Sequence, residues 1–300
     1  MVVRGTLAIG TFTALLSYVT MFFSPVSQIS QLWTAYKSAL PAYDRIKEIF
    51  DLKQDYHGED KLILGNGKVE FENVCFSYEI DRPILHEFNA TFEKGLNYIV
   101  GDNGSGKSTI LKLLCSLYNP DNGSIKINDQ DISRINKKDL INNISIIFAD
   151  PYLFDDSIYE NIKIGNLSAS KNDVIRAAKL VKIHKFVESL SDGYETQIGE
   201  NGINLSSGEK QKIALARAIL KNSSIILLDE VTKSIDKESR DSINEVIYNL
   251  KNEKTIIIVT HNNNEIVSDG NIVHLQQEQI ESKFEKQVVI KHMSPERAII

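Results

Sequence analysis

The chain opens on a long uncharged stretch and then changes character. No Asp, Glu, Lys or Arg falls between residues 5 and 36, and residues 7–23 are mostly apolar, with Gly, Ser and Thr interspersed. That run is too long for the core of a signal peptide. At helical rise, Gly5 to Trp33 covers roughly 42 Å, enough to cross a bilayer and emerge. Trp33 and Tyr36 stand where an interfacial aromatic belt belongs, just ahead of Lys37, Arg45 and Lys47, so the positive-inside rule puts the chain after Lys37 in the cytoplasm. Pro25 is compatible with a kinked membrane helix. A buried helix of a soluble protein is the competing account, because Pro25, Gln28, Ser30 and Gln31 interrupt the apolar run. Residues 42–52 are amphipathic, with Ile46, Ile49 and Phe50 on one side. The pattern therefore predicts a transmembrane helix with a cytoplasmic extension over residues 1–53, then a polar linker over 54–67.

From residue 68 the period shortens. Val69, Phe71, Val74 and Phe76 alternate with polar residues as in a strand, and further strands are expected around Ile84 and Phe88, at 96–100, 123–127 and 144–148. Residues 157–221 read as mainly helical, including one helix over 172–190. Residues 225–228 and 256–259 are short and wholly apolar, as buried parallel strands are, with a helix over 237–250 between them. This is an α/β domain over 68–284 with a helical subdomain at about 150–222, and a tail over 285–300 to which no role is assigned.

One stretch carries chemistry at once. Gly101-Asp102-Asn103-Gly104-Ser105-Gly106-Lys107-Ser108-Thr109 fits G-x-x-x-x-G-K-[ST], and it lies between an apolar strand and a helix start. Its glycines let backbone N–H groups curl around phosphate oxygens, and the helix N-terminus adds its positive end. Lys107 can reach the outer phosphates, and the Ser108 hydroxyl can ligate Mg²⁺. Composition adds only bounds. A formal net charge of −6 argues against a nucleic-acid partner. The two cysteines, Cys75 and Cys115, have no metal-ligand spacing and suggest no oxidising compartment.

Downstream, Ile225-Ile226-Leu227-Leu228 ends in Asp229 and Glu230. Ligands of parallel sheets bind at the carboxyl ends of strands, so Asp229 is expected beside the Mg²⁺ that Ser108 contacts. Glu230 is then placed to orient or deprotonate an attacking water. Ser206, Ser207 and Gly208 begin a strong helix and could form an anion site, although a capping box alone would explain Ser206 with Glu209. His261 closes the strand at 256–259 and could contact the γ-phosphate, although a lone histidine there is more often structural.

The order P-loop, Leu205-Ser206-Ser207-Gly208-Glu209, Leu227-Leu228-Asp229-Glu230, then Thr260-His261 resembles the ATP-binding domain of an ABC transporter of the exporter type. The resemblance covers about residues 5–279. It implies a P-loop NTPase fold, an ABC-type ATPase domain preceded by one long transmembrane helix, with ATP and Mg²⁺ as cofactors. It implies that Tyr78, in Phe76-Ser77-Tyr78, stacks on adenine. It also implies head-to-tail pairing with a second ABC ATP-binding domain, so that Ser206, Ser207 and Gly208 of one copy face the γ-phosphate held by the other's Lys107. Asp236 matches the last residue of the D-loop, and residues 196–202 resemble the segment that exporters carry before the signature.

Three positions depart from the family pattern. Ala149 stands where the family has the Q-loop glutamine, Lys233 and Ser234 stand where small D-loop residues are usual, and Ser207 replaces a signature glycine. Exporters also carry six membrane helices before this domain, and one is found here. The expected reading is ATP hydrolysis that powers export of an unidentified substrate by a dimeric membrane assembly, from a truncated or split chain joined by further transmembrane helices. The alternative is an ATP-binding regulatory or degenerate subunit of a heterodimeric transporter with little hydrolysis of its own.

Overall fold

The computed structural model describes residues 8–51, 58–63, 65–79, 82–199, 205–233, 235–261 and 266–275. Part of the expected linker, Ser234, part of the segment at 196–202 and the tail at 285–300 lie outside them. The chain divides into two compact units, Met1–Tyr56 and His57–Ile300.

Among the described residues, the first unit is a single helix, α1 (Ile9–Asp51), of 43 residues. It is roughly 64 Å long, about twice a hydrocarbon core. It runs unbroken through Pro25 and Pro41. Five of its hydroxyls turn back onto carbonyls of the same helix: Thr13 donates to Gly10, Ser17 to Thr13, Thr20 to Ser17, Thr34 to Ser30 and Ser38 to Ala35. Such self-satisfied polar groups suit a helix that has no water around it. None of its residues is buried, and it is long and apolar enough, by length and composition, to cross a membrane.

The second unit is built on two sheets. An antiparallel sheet orders β2 (Arg82–Phe92), β1 (Val69–Glu79), β4 (Asn122–Ile127) and β5 (Gln130–Asp131). A parallel sheet orders β6 (Ile144–Ile147), β7 (Ile225–Asp229), β8 (Thr255–Thr260), β3 (Gly95–Gly101) and β9 (Asn271–Leu275). The apolar run of β7, residues 225–228, is buried on both faces. Ile225 and Leu227 join one core with the antiparallel sheet and α2 (Lys107–Leu114). Ile226 and Leu228 join a second core with the helices on the other face. The alternation follows directly from the two-residue period of a strand.

Those helices are α4 (Ile158–Lys163), α5 (Lys171–Leu180), α6 (His184–Ser189), α7 (Ser207–Lys221) and α8 (Lys237–Leu250), while the short α3 (Lys137–Asn143) precedes β6. The single helix expected over 172–190 is instead two. The chain turns at Val181–Ile183, where Lys182 takes a left-handed φ of 58° and the Ile183 N–H reaches back to the Ala178 carbonyl at 3.0 Å. The turn lets Val181 and Ile183 both enter the core. An unbroken helix would point them about 200° apart.

Candidate functional site

Parallel pairing brings three strand ends to one edge. β8 pairs with β7 on one side and β3 on the other, so the segments after Gly101, Asp229 and Thr260 emerge side by side. They border a cleft of about 450 Å³ that Tyr78, Lys107, Ser108, Ala149, Asp229 and Glu230 help to line.

The loop after β3 has the backbone that its glycines foretell. Gly104 and Gly106 lie at φ 84° and 95°, and Gly106 is the left-handed N-cap of α2. A side chain at either position would be strained. Asn103 and Gly104 line the cleft, Gly101 ends β3 and the buried Thr109 lies in α2. Lys107 is buried, and its ammonium donates to the Gly101 and Asp102 carbonyls, each at 2.7 Å. An ammonium has three donors, so one is left for a ligand. The buried Ser105 hydroxyl has no hydrogen-bond partner among the described residues. An orphaned hydroxyl beside N–H groups at a helix start fits an anionic ligand such as a phosphate.

Ser108 Oγ donates to Asp229 Oδ1 at 3.2 Å, joining the P-loop to the end of β7 across 121 residues. Burial raises the Asp229 carboxyl above its ordinary range, against the Ser108 hydrogen bond. No cluster of three His, Cys, Asp or Glu among the described residues could hold a metal. One hydroxyl and one carboxylate nevertheless fit Mg²⁺, which takes oxygen ligands and draws most of them from waters and phosphates.

Glu230 takes a left-handed φ of 49°, rare for a residue with a Cβ. Its N–H donates to the Val259 carbonyl at 3.1 Å, which holds the turn. Oε1 lies 3.2 Å from His261 Nδ1, and Oε2 lies 2.6 Å from Lys233 Nζ. Burial works to raise this carboxyl, and Lys233 with His261 outweighs it and leaves the group below its ordinary range. The sequence did not reveal this pair; the Lys233 side chain turns back onto its own strand end.

Tyr78 lines the cleft, and its hydroxyl lies 3.2 Å from Thr109 Oγ1. Lys112 Nζ sits 5.6 Å from the centre of its ring. Ser206, Ser207 and Gly208 do not line the cleft. The capping box is formed in full: the Glu209 N–H donates to Ser206 Oγ at 3.3 Å, and the Ser206 N–H donates to Glu209 Oε2 at 2.7 Å. Gly208 is packed tightly within the unit, since a Cβ there would stand 2.4 Å from Ser239 Oγ of α8. The capping box that would explain Ser206 with Glu209 is thus formed, and both serines remain exposed.

A further residue escaped the sequence reading. Gln211 is 2% exposed, and its Nε2 donates to the Phe148 and Ala149 carbonyls at 2.9 and 2.6 Å. It ties α7 to the loop that carries Ala149. The available signal was a polar residue on the apolar face of α7, in the row Gly208, Gln211, Leu215, Ala218.

A family model described as ABC transporter matches residues 85–233. The ATP-binding cassette sub-family B member 6 of Xenopus tropicalis is 35% identical over 283 residues, covering 93% of this chain and 33% of that protein. The ABC transporter B family member 1 of Dictyostelium discoideum is 34% identical over 285 residues, covering 93% of this chain and 31% of that protein. A solved structure of a bacterial Atm1-family ABC exporter with ATP bound superposes with a TM-score of 0.76 at 29% identity, covering 97% of this chain and 54% of that one. The chain therefore spans about a third of the length of these two relatives.

Proposed function

Because this chain carries the ATP-binding domain of the ABC transporter family and is similar to its exporters, we propose that it binds and hydrolyses ATP to power export of a substrate across a membrane. The observation that carries the proposal is the 3.2 Å hydrogen bond from Ser108 to Asp229, with Glu230 next in the chain at the same sheet edge. It joins the loop after β3 to the carboxylate that ends β7.

In this reading the N–H groups of residues 101–109 hold the phosphates, and Lys107 gives its remaining donor to the outermost one. Ser108 and Asp229 hold Mg²⁺, which when bound neutralises charge that develops on the phosphates. Glu230 orients a water and accepts its proton, and His261 steadies the carboxylate. Tyr78 stacks on the adenine. Ser206, Ser207 and Gly208 reach the nucleotide of a second ATP-binding domain, so the working unit is a dimer. α1 crosses the membrane and contributes one helix to a path that needs several, with the ATP-binding unit in the cytoplasm.

ATP turnover of the chain in lipid nanodiscs tests this. Lys107→Ala is expected to bring turnover to background and to weaken ATP binding at least about tenfold, since a charge-assisted contact to phosphate is lost. Equal turnover in the two proteins would sink the proposal. Ala149→Gln is expected to hydrolyse ATP faster than the parent by restoring a polar group at the cleft. Equal rates would show that Gln211 already supplies what the loop needs.

A further inference from the structure

Glu230 meets two donors from its own chain. His261 Nδ1 lies 3.2 Å from one carboxylate oxygen, and Lys233 Nζ lies 2.6 Å from the other. The lysine is brought there by backbone, because its N–H donates to the Glu230 carbonyl at 3.1 Å and closes a tight turn directly after β7. The left-handed φ of Glu230 and its N–H bond to Val259 fix the other end. The Glu230 side chain is 15% exposed and that of Lys233 is 49% exposed, so the ammonium covers the outer side of the carboxylate. A general base needs a lone pair directed at the water it deprotonates. Here an ammonium holds one oxygen of the carboxylate and an imidazole nitrogen lies against the other, so both oxygens are already engaged.

We propose that Lys233 is a positioning residue that latches Glu230 in a resting arrangement, and that an attacking water gains its place only when this ammonium withdraws. The proposal rests on Glu230 being the base. The Lys233 ammonium is engaged by Glu230 and not by the P-loop, so the latch acts on the chemical step and leaves nucleotide affinity alone. Its exposed stem gives the ammonium room to swing away without unfolding the turn.

The test is steady-state ATP turnover of the full chain in lipid nanodiscs for the parent, Lys233→Ser, Lys233→Arg, Glu230→Gln and the Lys233→Ser, Glu230→Gln double variant. Lys233→Ser is expected to raise kcat about two- to fivefold, the range that a partly exposed ion pair can impose, with KM for ATP unchanged. Lys233→Arg keeps the pair and the parent rate. The double variant is as slow as Glu230→Gln alone, which shows that Lys233 acts through Glu230. If Glu230→Gln is slow and Lys233→Ser is no faster than the parent, the latch is wrong and the base stands. A rise that Lys233→Arg shares, or one that appears in KM, also overturns the latch. If Glu230→Gln turns over as fast as the parent, the base assignment fails and the latch with it.

Discussion

Glu230→Gln is expected to lower ATP turnover by about 10²- to 10⁴-fold, the usual contribution of a positioned base. Glutamine keeps the size and the planar head but cannot accept a proton. Its neutral carbonyl can still accept from Lys233, but the ion pair is lost and the ammonium is held more weakly. ATP binding is expected to persist, because the Glu230 carboxylate bonds Lys233 and His261 rather than the P-loop, while Ser108 still bonds Asp229. Equilibrium binding of ATP and single-turnover hydrolysis on the same preparation separate the two effects. Loss of binding together with turnover would mean that Glu230 shapes the cleft rather than the chemistry.

The second large effect concerns stability. Asn161 is 0% exposed and serves as the hub of the helical face. Its Oδ1 accepts from the Phe154 N–H at 2.9 Å and from the Arg217 guanidinium at 2.5 Å. Its Nδ2 donates to the Phe154 and Ser157 carbonyls, each at 3.0 Å. Arg217 also donates to the Asn161 and Tyr152 carbonyls, each at 2.6 Å, and burial pushes its guanidinium down to about 10. Asn161→Ala strands these groups away from water, and each buried polar atom left without a partner costs about 1–3 kcal/mol. Local rearrangement recovers part of that, so a loss of about 3 kcal/mol is expected, read as a lower urea midpoint at constant slope. Ser191→Ala, an exposed change outside the network, should stay within about 0.5 kcal/mol. Equal midpoints for the two variants would show that the network holds nothing.

Legibility in the sequence tracks locality. The P-loop is contiguous, and its chemistry needs only a strand before it and a helix after it. β7 and β8 announced themselves as unbroken apolar runs because both faces of each are buried. The long helix could be read through Pro25 because its uncharged, mostly apolar run continues past the proline. β9 was missed: at the sheet edge its residues are mostly exposed or half-buried, so it carries no strong pattern. The break at Lys182 depends on where two side chains meet a core built from distant residues. Gln211 on Ala149 spans 62 positions and Arg217 on Asn161 spans 56, and contacts at such range leave no periodic trace. Lys233 is nearer, three residues from Glu230, but a turn has no fixed side-chain direction for spacing to reveal.

The capping box on α7 bears on how fast such a protein assembles. With the Ser206 and Glu209 amides satisfying each other's side chains, the helix stands at full length before anything docks on its end. An ordered surface surrenders little conformational freedom on association. Under the proposed pairing with a second ATP-binding domain, encounter would proceed as rigid docking, at about 10⁵–10⁷ M⁻¹s⁻¹, rather than waiting for a helix end to form. The Ser206 hydroxyl, accepting from Glu209 on one side, keeps its own proton for whatever arrives on the other.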